Sequence, residues 1–146
     1  MTNKETKICI IGLGYVGLPL CLALSRLFQV VGFDNSKTRI EELNDYYDKT
    51  NEVTKKELLE SSIFFTSNDL HIKDSNIYII TVPTPIDDNN HPDVSHLREA
   101  SATVARNLDR GDIIVFESTV YPGATEEICV PILEELSGLE FNKTFF

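Results

Sequence analysis

Short apolar runs alternate along the chain with longer stretches in which apolar side chains recur every three or four positions. The first pattern is that of strands and the second that of helices. Their alternation predicts a parallel sheet covered by helices. Strands are expected at residues 7–11, 29–33, 63–66, 75–82 and 113–116. The 75–82 run is almost continuously apolar, as a strand covered on both faces should be. The 63–66 run is short and reads as an edge strand.

The helical segments fall between these strands. Residues 16–28 form one, with Leu18, Cys21, Leu22, Leu24 and Leu27 on its buried side and Pro19 in the first turn, where a missing N–H costs little. Asn35 or Ser36 can cap the next helix, whose apolar side carries Ile40 and Leu43. Residues 44–51 read as a polar loop, and residues 54–60 as a short helix opened by a Thr54/Glu57 capping box. Pro83 and Pro85 stop the fourth strand. After a polar loop at 87–92, Asp93 caps a helix running to about residue 108. Gly111 closes that connection, and Gly123 starts a helix to about residue 136. Residues 139–146 hold three phenylalanines but no capping or turn signal, as expected where a larger protein has been cut.

Composition narrows the possibilities. A chain of 146 residues, 42% hydrophobic and 25% charged, is expected to fold as one domain over residues 1–146. No apolar run approaches a membrane span. Lys4 and Lys7 lead into a strand and a glycine turn rather than a leader with a cleavage site. The net charge of −10 argues against nucleic acid and anionic membranes as partners, and means that a phosphorylated ligand must find local donors. Cys9, Cys21 and Cys129 have no metal-ligand spacing and read as buried small hydrophobes of a reducing cytoplasm. His71, His91 and His96 lie in polar segments with no nucleophile or metal set and read as bystanders.

Chemistry concentrates where the first strand meets the first helix. Gly12-Leu13-Gly14-Tyr15-Val16-Gly17 has the GxGxxG spacing, between a strand and a helix. Gly12 permits the tight turn, Gly14 lets a pyrophosphate approach the backbone, and Gly17 lets the helix pack closely on the sheet. The helix start then offers N–H groups and partial positive charge to the phosphates. Asp34 lies 20 residues past Gly14, at the end of the second strand. A carboxylate there accepts from the adenosine ribose and repels a 2′-phosphate, favouring NAD over NADP. Asp34 could alternatively serve only as a helix cap. Arg39 and Lys37 lie near the same ribose; either could instead be a solvated helix charge, which is the better reading for Lys37. The fold expected is a Rossmann doubly wound sheet, three layers α/β/α.

Three motifs go further. GLGYVGLPL at 12–20, VPTPID at 82–87 and ESTVYPGATEE at 117–127 together resemble the UDP-glucose/GDP-mannose dehydrogenase family, over the whole chain and in order. The stretch at 121–141 resembles the bacterial branch that oxidises UDP-N-acetylhexosamines for capsular, Vi-type or O-antigen polysaccharides. The resemblance implies two NAD-dependent oxidations of a sugar C6 alcohol, through an aldehyde and a cysteine thioester, to the uronate. It places Tyr15 and Val16 along the pyrophosphate and Asp34 and Arg39 on the ribose. Family members often carry lysine at the position of Arg39, which keeps the charge. Val82, Pro83 and Thr84 become a loop against which the cofactor rests. Ser118 and Thr119 follow the fifth strand, Thr119 matching a threonine that positions a catalytic water. Pro83 and Pro85 could instead simply end a strand, and Thr119 could cap a turn.

The family's catalytic cysteine, lysine and asparagine and its sugar-binding domain have no counterpart here. The resemblance therefore implies an N-terminal piece, inactive alone, of a protein that usually forms homodimers. The rival readings are a 3-hydroxyacyl or 6-phosphogluconate type of NAD-linked dehydrogenase, which lacks the paired second and third motifs, and a stand-alone NAD-sensing module.

Overall fold

The computed structural model describes residues 5–146, so Lys4 lies outside the described residues. Strands β1 (Lys7–Ile11), β2 (Gln29–Phe33), β3 (Phe64–Thr66), β4 (Ile77–Ile80) and β5 (Ile113–Phe116) form one sheet. Their order is β3-β2-β1-β4-β5 and every pairing is parallel. β3 is the edge strand its length predicted.

Side-chain alternation along β1 divides the core in two. Ile8 and Ile10 point toward helices α1 (Gly17–Ser25), α2 (Lys37–Asn44) and α3 (Lys55–Glu60), packing with Leu18, Cys21, Ile40, Leu43 and Leu58. Cys9 and Ile11 point the other way, toward α4 (Ser95–Ala105) and α5 (Val130–Ser137), among Leu97, Val104, Cys129 and Leu133. This is the expected three-layer doubly wound fold. Because the chain winds outward from β1 on one side and from β4 on the other, the loops leaving these two strands part and leave a crevice between them.

Several local expectations change. Helix α1 ends at Ser25 rather than at residue 28: the N–H groups of Leu27 and Phe28 both donate to the Leu24 carbonyl, closing a turn. Leu27 is thereby thrown outward and is 80% exposed instead of buried. The fourth strand is shorter than expected, spanning Ile77–Ile80. Asp93 is not the N-cap of α4. Val94 holds that position without a side-chain bond, and the Asp93 carboxylate accepts from Ser95 N at 2.9 Å, an Asx turn just outside the helix. Gly123, with φ +86°, precedes the last helix rather than starting it, and that helix opens on a π-helical turn, Thr125–Cys129, with no local sequence signal.

Residues 139–146, expected to lack a turn, contain one. Asn142 adopts φ +60°, Glu140 N donates to Thr144 Oγ1, and Phe145 enters the core at 1% exposure. Phe146 N donates to Asp112 O, and Ile114 N to Phe146 O, so this segment lies along the open edge of β5.

The three cysteines are free and buried as expected. Burial pushes all three thiols above their ordinary value, which leaves almost no thiolate to react. A disulfide reagent added to native protein should therefore spare Cys9, Cys21 and Cys129 and reach them only in denaturant. Rapid labelling of any of them in the native state, mapped by mass spectrometry, would contradict this packing.

Candidate dinucleotide site

At the end of β1 the chain reverses at Gly12, whose φ of +97° is a left-handed conformation suited to glycine. Gly12 N donates to Phe33 O at 2.9 Å, tying the turn to the end of β2. Gly17 then seats α1 against this turn. A Cβ on Gly17 would lie 1.8 Å from the Gly12 carbonyl oxygen and 2.5 Å from Thr81 Oγ1. No residue other than glycine fits there without moving the helix. A Cβ on Gly14, in contrast, would meet nothing within 4 Å, so that face of the turn is open to a ligand.

The donors are positioned to use that opening. Among the described residues, the N–H groups of Gly14, Tyr15 and Val16 donate to no protein acceptor. Helix α1 has neither a side-chain cap nor an acidic residue in its first turn. Its positive end is left uncompensated by the protein.

The crevice measures about 560 Å³ and brings together residues from all three motifs. Gly12, Gly14, Tyr15 and Val16 line one wall, Asp34 and Arg39 one end, and Val82, Pro83, Thr84, Ser118 and Thr119 the other. Of the residues expected at the site, only Gly17 is not on the wall, because it is buried beneath it. Two contacts join the loops after β4 and β5: Ser118 Oγ donates to Val82 O at 2.7 Å, and Thr84 Oγ1 donates to Thr119 O.

The Asp34 carboxylate accepts from Leu13 N and Ser36 N, both at 2.9 Å. The helix-cap alternative belongs instead to Ser36, whose hydroxyl accepts from Arg39 N. Arg39 is buried, not solvated: its Nε donates to Leu13 O and its Nη2 to Asp48 Oδ1, each at 2.8 Å. Its Nη1 makes no hydrogen bond and lies 3.5 Å from Glu42 Oε2. Lys37 is exposed and off the crevice wall.

Sequence reasoning missed part of the wall. His96, read as a bystander, lines the crevice with Glu99 and Thr103, because the first turns of α4 cover the ends of β1 and β4. Their spacing puts them on one helical face beside buried Ala100, a signal that was available. His71 and His91 stay outside, against Thr66 and Asp87 respectively. Lys49 and Thr50 also reach the wall, from the loop after α2, and nothing in their spacing announces it. Among the described residues no cluster of three potential metal ligands occurs.

The fold and site together define a dinucleotide-binding domain of Rossmann type. The chain belongs to the UDP-glucose/GDP-mannose dehydrogenase family: residues 6–145 match the model of its NAD-binding domain. It is 55% identical over 143 residues to a UDP-N-acetyl-D-glucosamine 6-dehydrogenase of Salmonella typhi, covering 97% of this chain and 34% of that protein. Identity to the Pseudomonas aeruginosa enzyme of the same name is 50% over 144 residues, covering 98% and 34%. The fold matches the solved structure of UDP-D-ManNAc dehydrogenase from Pyrococcus horikoshii with a TM-score of 0.87 and 35% identity, covering 96% of this chain and 34% of that one. The chain thus spans about a third of the length of the relatives it matches.

The most densely bonded carboxylate beside the crevice is Asp48. It accepts from Arg39 Nη2, Thr50 N and Oγ1, Glu52 N and Val53 N. Burial alone would raise its carboxyl, but the bonds from Thr50, Arg39 and Val53 outweigh it and hold it down at about 2. A carboxyl depressed from 3.8 to about 2 stabilises the fold by about 2 kcal/mol. That stability is complete above pH 4 and lost as the pH falls toward 2. Asp48→Asn should lose it at pH 7, and chemical denaturation should show the two proteins converging below pH 2. A constant gap across that range would refute this assignment.

Proposed function

We propose that the intact protein is an NAD-dependent UDP-sugar 6-dehydrogenase, acting on a UDP-N-acetylhexosamine for surface polysaccharide synthesis, with residues 1–146 as its cofactor domain. The observation that carries this reading is the meeting of all three family motifs on one crevice whose open backbone donors suit a pyrophosphate. The substrate class follows the names of the two relatives that are 50% and 55% identical.

In this reading the amides of Gly14, Tyr15 and Val16 take the pyrophosphate. The Asp34 carboxylate accepts from the adenosine ribose, while Arg39, buried against Leu13 O and Asp48, stands behind it and offers the ribose no donor. Val82, Pro83 and Thr84 support the nicotinamide side, and Ser118 and Thr119 stand beside them. Bound there, NAD would supply the hydride acceptor for each of the two oxidations. Thr119, whose hydroxyl makes no hydrogen bond among the described residues, holds the water that releases the carboxylate from a thioester. The nucleophilic cysteine belongs to a part of the protein outside these residues. No helix among the described residues is long and apolar enough to cross a membrane. The protein is proposed to work in the cytoplasm as a homodimer joined outside this domain.

Asp34→Ala should weaken NADH binding about tenfold or more, the scale of a lost charged hydrogen bond. It should also narrow the preference for NADH over NADPH. Fluorescence titration giving unchanged affinity and preference would remove Asp34 from the ribose. The full-length protein should release two NADH per UDP-N-acetylhexosamine oxidised, and residues 1–146 alone none. NADH production by the isolated domain would overturn the division of labour proposed here.

A further inference from the structure

The peptide unit between Leu13 and Gly14 is held from outside the glycine turn. The described backbone holds no cis peptide, so the Leu13 carbonyl and the Gly14 N–H point in opposite directions within one plane. Whatever fixes the carbonyl therefore aims the N–H. Arg39 Nε donates to that carbonyl at 2.8 Å, while Leu13 N is fixed by Asp34 Oδ2 at 2.9 Å. Arg39 is itself held by Asp48, 2.8 Å from Nη2. Asp48 is anchored in turn by the backbone of Thr50, Glu52 and Val53. Both side chains of the pair are buried, and the remaining charges near them are Glu42, 3.5 Å from Nη1, and Lys49, which faces Glu42 at 3.7 Å.

We propose that Asp48 and Arg39 act as positioning residues that aim the Gly14 N–H at the cofactor's pyrophosphate, through the Leu13 carbonyl. The effect is on the diphosphate, not the adenosine, and it runs through a residue that the glycine fingerprint does not contain. Arginine suits the role because its planar fork serves the carbonyl and the carboxylate together, which a lysine cannot do in the same geometry.

The inference rests on NAD occupying the crevice, so the unaltered full-length protein is titrated first. Absence of NADH binding there would defeat the functional reading itself. Given binding, Asp48→Asn and Arg39→Met should each weaken NADH and ADP about tenfold while adenosine changes less than twofold, in proteins shown by thermal melting to remain folded at the assay temperature. The double variant should be no weaker than the weaker single one, because both act on one carbonyl. Parallel loss of adenosine affinity, additive losses, or unchanged ADP affinity would each overturn the proposal while leaving the cofactor assignment intact.

Discussion

Gly17 lies so close to the Gly12 carbonyl that one methyl group would have to overlap it, since a Cβ there falls 1.8 Å from the oxygen. That contact fixes where α1 begins relative to the end of β1, and the crevice inherits its geometry from it. The three helices on this side of the sheet differ in how their first turns are satisfied. Ser36 caps α2, and Thr54 and Glu57 close a reciprocal capping box on α3, so both of those helix starts are satisfied from within. Helix α1 starts at Val16 with no side-chain cap and no acidic residue in its first turn. Its orphan donors and positive end are available to an anion because the protein has left them unused.

This arrangement explains how a chain of net charge −10 can serve a phosphorylated cofactor. Long-range attraction is absent, so recognition must come from dipoles fixed at contact distance. Fixed dipoles help only if they are held in place. Here the turn is tied to β2 through Gly12 N and Phe33 O, to the residue just after β4 through Thr81 Oγ1 and Gly12 O, and to α2 through Arg39 and Leu13 O. The Asp34 carboxylate on the crevice wall also holds Leu13 N. Under the proposed function, cofactor recognition and turn geometry share that one group.

The sheet was legible in the sequence because its strands leave short apolar runs between helical stretches, and β1, β2 and β5 match their expected bounds residue for residue. The glycine turn was legible because its requirements are steric and local. The features that escaped detection depend on contacts distant in the chain or on helix ends. Leu27 fits a helical period, but the helix has already closed on Leu24. The π-helical turn at Thr125–Cys129 carries no composition signal. Asp48 looks like one more polar residue in a polar loop, and its role emerges only when folding buries it against Arg39. The terminal phenylalanines read as a loose end until Phe145 is found in the core and Phe146 on the edge of β5.

The placement of the thiols constrains the chemistry as firmly as the crevice does. Oxidising an aldehyde to the level of a carboxylate by hydride loss requires a nucleophile to add to the carbonyl first, and in the proposed reaction that nucleophile is a thiolate. None of the three cysteines lines the crevice. Cys9 lies within β1, Cys21 within α1 and Cys129 at the start of α5, each buried and each with its thiol pushed toward the neutral form. Reaching a substrate would require any of them to leave the core that the sheet is built around. Thr119 lines the crevice, but among the described residues its hydroxyl has no base bonded to it that would activate it as a nucleophile. Among the described residues the crevice therefore holds no thiolate to activate the carbon that supplies the second hydride. In the proposed reaction that thiol comes to the crevice from another element.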